Sequence, residues 1–149
     1  AVGLAAFAPA SRADSPYERE PINYLTTEAH DRVAELKALV ESRKLVLEKE
    51  GPQGYLRSVL QALDVPVSSQ VLVFSKTSFQ SPHISPRTPR ALYFNDDVYL
   101  GYVQGGDSLE FSAVDPELGG VYYLLDQTAD ERPEIERRTH ECLQCHVSW

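Results

Sequence analysis

Hydrophobic spacing divides the chain near residue 70 into a helical half and a β half. Before that point, apolar residues recur every three or four positions, as they do along one face of a helix. Two sets of residues follow this spacing: Val33, Leu36, Leu39 and Val40, then Tyr55, Leu56, Val59, Leu60 and Leu63. Gly51-Pro52 separates them, and proline suits the first turn of a helix. The pattern predicts an N-terminal antiparallel helical hairpin, with its first helix capped by Thr26 or Thr27.

After Gln70 the apolar residues form short runs of strand length, separated by residues typical of turns. The predicted strands are 71–74, 91–94, 98–103, 109–113 and 121–125. In the fourth, Leu109, Phe111 and Ala113 alternate with polar residues, which is typical of a sheet with one solvated face. The sequence therefore predicts an α+β fold: the helical hairpin, an antiparallel β-meander of about five strands, and a short C-terminal helix.

The residues with the most specific chemistry lie in that last helix, at Cys142-x-x-Cys145-His146. Cys-x-x-Cys-His is the attachment pattern of covalent haem c. The two thiols, one helical turn apart, can form thioethers with the vinyl groups of one porphyrin. The adjacent imidazole of His146 can then bind the iron as an axial ligand.

Other interpretations use the same pair, because the chain has only two cysteines. A thioredoxin-like motif follows a buried strand, whereas residues 130–141 are strongly charged and do not predict one. A structural zinc site usually has four ligands, and no second cysteine pair is available to complete it. A disulfide between Cys142 and Cys145 would close a very small loop and constrain little of the unfolded chain. The residues therefore favour haem.

The motif resembles that of the c-type cytochromes, although the ordinary single-haem fold of that family is helical and carries the motif near its N-terminus. A looser resemblance covers residues 70–146 and includes the segments 85–96 and 113–119. These look like the N-terminal part of uncharacterised exported bacterial mono-haem cytochrome c proteins. The resemblance implies one haem c per chain, electron transfer to a redox partner protein, and maturation by haem-attachment machinery.

The loop 76–90 is the second stretch with candidate chemistry. Three prolines stiffen it, and it also carries His83, Arg87 and Arg90. We predict that His83 supplies a second axial ligand to the iron, and that Arg87 and Arg90 bind the haem propionates, since a planar guanidinium suits a carboxylate. The plainer alternative is a surface loop whose charges have no special role.

Composition and the N-terminus bear on location and partners. The net charge of −8 argues against a nucleic-acid partner. Residues 1–13 have the apolar run and small-x-small ending of a signal peptide remnant and are too short to span a membrane. We therefore predict a periplasmic or otherwise exported protein without a transmembrane segment, with a linker at 14–27 and one haem-binding domain at 28–149. Because the chain contains no methionine and stops soon after the motif, we also expect it to be truncated at the C-terminus.

Three functions remain open from the sequence. The first is an electron-transfer module with one covalent haem c. The second is a haem enzyme, or a protein that binds a gas or peroxide at an open distal site. The third is a haem-free interaction domain whose cysteine pair forms a disulfide or binds a metal. Electron transfer is favoured over enzymatic activity, because the resemblance implies haem binding and electron transfer; in the enzyme alternative the loop 76–90 would form the distal pocket.

Overall fold

The computed structural model describes residues 16–146, apart from the side chains of residues 16, 144 and 145. The predicted signal peptide remnant at 1–13 lies outside the described residues. A six-stranded antiparallel sheet dominates the described part, and its strands are adjacent in the same order as in the chain. The strands are β1 (Val71–Val73), β2 (Arg90–Phe94), β3 (Val98–Val103), β4 (Ser108–Asp115), β5 (Gly119–Asp126) and β6 (Ile135–Arg138).

The helices are short. They are α1 (Arg32–Glu41), α2 (Leu56–Ala62) and α3 (His140–His146), and single 3-10 turns lie at Pro16–Glu18, Gly51–Gln53, Val67–Ser69 and Ser81–His83. The predicted α+β class with an N-terminal helical hairpin is therefore wrong. The described chain is mostly β, with a short C-terminal helix, and its meander has six strands instead of about five.

The hairpin is absent because α1 ends early. Arg43 adopts a left-handed backbone conformation with φ of 59°. The Arg43 N–H donates to the Val40 carbonyl and the Lys44 N–H to the Leu39 carbonyl, a pairing known as the Schellman motif that terminates helices. The following segment runs on without helix, and its Leu47 is buried in the core. No hairpin of two long helices therefore forms, and α2 has only seven residues.

The start of α1 also differs from the prediction, because Asp31 caps it in place of Thr26 or Thr27. Asp31 Oδ1 accepts hydrogen bonds from the backbone N–H groups of Val33 (2.8 Å) and Ala34 (3.0 Å). Its Oδ2 accepts a third from the Tyr123 hydroxyl at 2.5 Å. This buried carboxylate thus accepts hydrogen bonds from two backbone N–H groups in the first turn of α1 and also joins that turn to β5.

Strand β6 lies within the charged stretch 130–141, where the sequence indicates no buried strand and the predicted meander has no member. Ile135 is buried opposite Leu125 of β5. The charged residues that follow are tolerated because β6 is the last strand of the sheet and buries little of its other face. Arg137 also has backbone partners: its Nη1 donates to the Thr27 carbonyl (2.8 Å) and its Nη2 to the Tyr24 carbonyl (2.7 Å).

The two faces of the sheet have different surroundings. On the inner face Leu100, Phe111 and Tyr123 are cross-strand neighbours, and they belong to a hydrophobic cluster shared with α1 and α2. Tyr24, within the predicted linker, is buried in the same cluster and donates its hydroxyl to the Gly120 carbonyl at 2.8 Å. The outer face carries the cross-strand row Tyr99–Ser112–Tyr122.

Candidate haem-binding groove

The outer face of the sheet forms the floor of a groove of about 500 Å3, which we call the outer groove. Its floor comes from β2 to β5, one wall from residues 77–79, and the other wall from α3. The floor includes Leu92, Tyr99, Gly101, Glu110, Tyr122 and Leu124. This volume lies within the usual range for a site that takes a small organic ligand.

Helix α3 directs part of the cysteine motif into the outer groove. Cys142 and His146 are four residues apart and therefore share one helix face, and both line the groove. Leu143, the next residue after Cys142, points to the adjacent side of the helix and is buried in the core. Burial of Leu143 orients α3 so that the Cys142 and His146 face is turned to the groove.

The imidazole of His146 rests on the groove floor. Its ring stacks on Tyr122, with ring centroids 4.6 Å apart and ring planes inclined by 29°. Burial, and then the neighbouring Cys142 thiol, raise the pKa of the Tyr122 phenol, so the phenol is neutral at physiological pH. The floor therefore supplies an uncharged aromatic surface beside the imidazole, and this surface suits a flat apolar ring.

Two arginines lie in or near the groove, and each is paired with a carboxylate. Arg90, one of the predicted propionate ligands, lines the groove; its Nη1 contacts Glu110 Oε2 at 3.0 Å, with both side chains 15% exposed. Arg138 stands at the other side, bonded to Glu136 at 2.9 Å and Glu141 at 2.7 Å. Its guanidinium carbon lies 5.7 Å from the centre of the Phe79 ring, which connects the two walls.

The residues that line the outer groove fit a covalently held haem. They combine a thiol, an imidazole that can bind iron, and a largely apolar floor that contains Gly101. The Cβ of an alanine at Gly101 would lie at ordinary contact distance, 3.5 Å, from Arg90 Cδ and Leu92 Cδ2. The candidate partners for haem propionates are Arg90, which lines the groove, and Arg138, which lies near Phe79 of its wall; both are already paired with glutamates.

The structure brings together some of the predicted site residues and not others. Cys142, His146 and Arg90 meet at the outer groove. Cys145 occupies the same helix, α3. His83 and Arg87 are exposed residues of the loop 76–90 and lie outside the groove lining, so their predicted roles as sixth ligand and propionate ligand gain no support.

Sequence reasoning missed the aromatic floor. The floor includes Tyr99 and Tyr122, and the sequence contains a signal for it. Tyr122 and Tyr123 are consecutive in one strand, so their side chains must point to opposite faces of the sheet. Only one of the two can belong to the inner core; the structure places Tyr123 there and Tyr122 in the outer groove.

Within residues 16–146, no cluster of three or more His, Cys, Asp or Glu side chains is arranged to hold a metal ion. The helices of the same range are too short to span a bilayer.

The chain was also compared with known proteins. No protein-family model, curated protein or solved structure matches it. The candidate site therefore depends on the chemistry of its own residues.

Proposed function

We propose that the chain is an exported c-type cytochrome module that carries one haem c and transfers electrons to a redox partner protein. Cys142 and Cys145 attach the haem, and His146 binds its iron. The observation that carries the proposal is the placement of Cys142 and His146 on one face of α3, lining an aromatic groove of about 500 Å3. Export follows from the same proposal, because haem c is normally attached outside the cytoplasm.

In this proposal the protein holds and shields the cofactor. When bound, the haem supplies reversible one-electron exchange at its iron. Tyr99, Leu92 and Leu124 exclude water from the groove floor, which bears on the reduction potential. Arg90 and Arg138 compensate the negative charge of the propionates. Glu110 and Glu141 hold these two guanidinium groups in place through the ion pairs already present.

The direct test is expression with export and haem-attachment machinery, followed by intact mass and a pyridine haemochrome spectrum. We expect a mass increase of one haem and the spectrum of saturated vinyl groups. Cys142→Ser and Cys145→Ser should each remove one thioether, and the spectrum should shift toward that of an unsaturated vinyl. An unmodified mass, beside control cytochromes that mature normally, would rule out the proposal and favour the haem-free interaction domain.

His146 has a matched control on its own helix. His146→Ala should lose the axial-ligand signature in the visible spectrum, because the proximal nitrogen is removed. His140→Ala should leave that spectrum unchanged, since His140 is exposed at the first position of α3 and outside the groove lining. Equal spectra for the two variants would exclude His146 as the ligand.

A second candidate function is the binding of a gas or peroxide at an open distal site. The observation that favours it is the composition of the groove lining, in which His146 is the sole histidine among the described residues; the chain has no methionine. A five-coordinate spectrum with rapid carbon monoxide binding would support this candidate. A six-coordinate low-spin spectrum would support electron transfer, and its change in His83→Ala would identify His83 as the sixth ligand.

A further inference from the structure

Strand β1 forms an edge of the sheet. It pairs with β2 on one side, with Leu72 opposite Ala91, and no described residue forms a hydrogen bond with its other side. An edge strand with unpaired backbone N–H and carbonyl groups is a template for another strand. Natural sheets usually protect such edges with charged residues, proline or a covering segment.

The side chains around this edge are unusually apolar for a solvated surface. Val71 is 45% exposed, Leu72 54% and Phe74 58%, and the nearby Val67 is 63% exposed. Exposed apolar side chains concentrated along one sheet edge are a feature of interaction sites. We call residues 67–74 the β1 edge.

Charge indicates which partner fits the β1 edge. Residues 65–75 contain no charged side chain, although the chain as a whole carries a net charge of −8. Two copies of so acidic a chain repel each other over most of their surfaces. At the β1 edge they can approach without bringing like charges into contact. A basic or acidic partner, by contrast, would find no complementary charge there.

The sequence of β1 is also compatible with pairing to itself. In an antiparallel pair centred on Leu72, Leu72 of one copy faces Leu72 of the other, and Val71 faces Val73. Apolar β-branched and aliphatic cross-strand pairs stabilise antiparallel ladders, and such an arrangement closes with two-fold symmetry. We propose that two copies of this chain associate through the β1 edge and join their six-stranded sheets into one continuous sheet.

The β1 edge does not include the cysteines, so the dimer should form whether or not haem is attached. Sedimentation velocity of wild-type protein across a hundredfold concentration range, with and without haem, tests it. We expect a concentration-dependent dimer in both forms. The dimer should persist or strengthen at high salt, because salt screens the repulsion between the acidic copies. A wild-type chain that stays monomeric throughout would overturn the proposal.

Substitutions locate the interface. Leu72→Lys places a charge at the centre of the paired strands and should raise the dimer dissociation constant by about tenfold or more. Val46→Lys is the matched control, since Val46 is 73% exposed outside the β1 edge, and it should leave the constant unchanged. Circular dichroism establishes that both variants fold.

A measurement on the wild type makes the test independent of these variants. Amide hydrogen exchange at residues 71–73 should slow as protein concentration rises, because the edge amides gain partners in the dimer. If dimers form but exchange at residues 71–73 does not change with protein concentration, the interface lies elsewhere and the proposal is overturned. Equal dimer dissociation constants for Leu72→Lys and Val46→Lys would overturn it in the same way.

Discussion

Gly54 shows how a single residue controls the start of α2. It has φ of 60°, and a Cβ built on it would stand 2.4 Å from Gln127 Oε1. That oxygen accepts the Tyr55 N–H at 3.2 Å inside the core. A side chain at position 54 would therefore meet both backbone strain and a buried amide that cannot move without losing its hydrogen bond.

We predict that Gly54→Ala lowers the free energy of unfolding by about 2–4 kcal/mol, the sum of a strained φ and a lost buried hydrogen bond. Gly51→Ala is the control, because Gly51 also has a positive φ, 50°, but has open space around its Cβ position. It should cost about 1–2 kcal/mol, from backbone strain alone. Urea unfolding measures both values. Equal losses of unfolding free energy in the two variants would show that the Gln127 side chain moves away from position 54 at no cost in stability.

Asp115 is a buried carboxylate at the end of β4, and its pKa governs part of the acid stability. Burial pushes this pKa up, but backbone N–H groups of His30, Leu118 and Glu117 more than offset burial and lower it below the usual 3.8. The His30 N–H donates at 2.6 Å. Since the folded-state pKa is depressed, the stabilisation is complete above pH 3.8 and is lost as the pH falls through the folded-state value.

We therefore expect Asp115→Asn to destabilise the protein at pH 7 by about 1–3 kcal/mol, and the difference from wild type to shrink below pH 3.8. Urea unfolding at pH 7 and at acid pH tests this. Asp96→Asn, at an exposed turn position, should have little effect at either pH. A difference between Asp115→Asn and wild type that stays constant across the range would contradict the argument.

At the scale of elements, Arg137 of β6 holds the segment before α1 against the sheet. Its two terminal nitrogens donate to the Thr27 and Tyr24 carbonyls, and its guanidinium carbon lies 4.9 Å from the centre of the Tyr24 ring. A planar, forked guanidinium can make these contacts together, whereas a lysine ammonium has no equivalent geometry.

Arg137→Lys should lower the free energy of unfolding by about 1–3 kcal/mol and expose residues 16–30 to faster proteolysis. Arg57→Lys is the control, because Arg57 is 74% exposed and pairs with Glu50 on the surface. Such a pair contributes less than about 1 kcal/mol. Urea unfolding and the rate of limited proteolysis provide the two readouts; unchanged proteolysis in Arg137→Lys would exclude the tethering role.

Hydrophobic pattern predicted the central strands well and the element ends poorly, for identifiable reasons. Alternation along β4 is visible because its inner residues face a buried core and its outer residues do not. The end of α1 depends on Arg43 in a left-handed conformation, and the sequence signal for that conformation is usually glycine. Strand β6 was missed because three of its four residues are charged and only Ile135 is buried, so it has no apolar pattern; its pairing with β5 makes it a strand.

The candidate site was predicted only in part for a similar reason. Cys142, Cys145 and His146 are recognisable because their spacing is itself the signal. The groove floor is formed by residues of four strands. Which residues meet there depends on the pairing register of these strands, and the local sequence of one strand does not show that register. The same holds for His83, whose position relative to the groove is set by the path of the loop 76–90.

At the scale of the whole molecule, the outer groove between sheet and helix gives a test of the proposed haem site. We predict that Gly101→Trp fills the groove floor and lowers the yield of haem-loaded protein severalfold; circular dichroism checks that the variant folds, because Gly101 lies in contact with Arg90 and Leu92. Gly101→Ala should load haem normally, since its Cβ meets only ordinary contacts. Intact mass measures the loaded fraction; equal loading of the two variants would place the haem elsewhere.

The order of the strands has a consequence for how the molecule assembles. Each strand pairs with its neighbour in the chain, so most of the sheet can grow by closing short loops, which costs little entropy. By contrast, the contacts that attach the segment before α1 join residues far apart in the chain. Tyr24 bonds Gly120, 96 residues away, and Arg137 bonds Thr27, 110 residues away. In a chain synthesised from its N-terminus, these early residues must wait for β5 and β6 before they can dock.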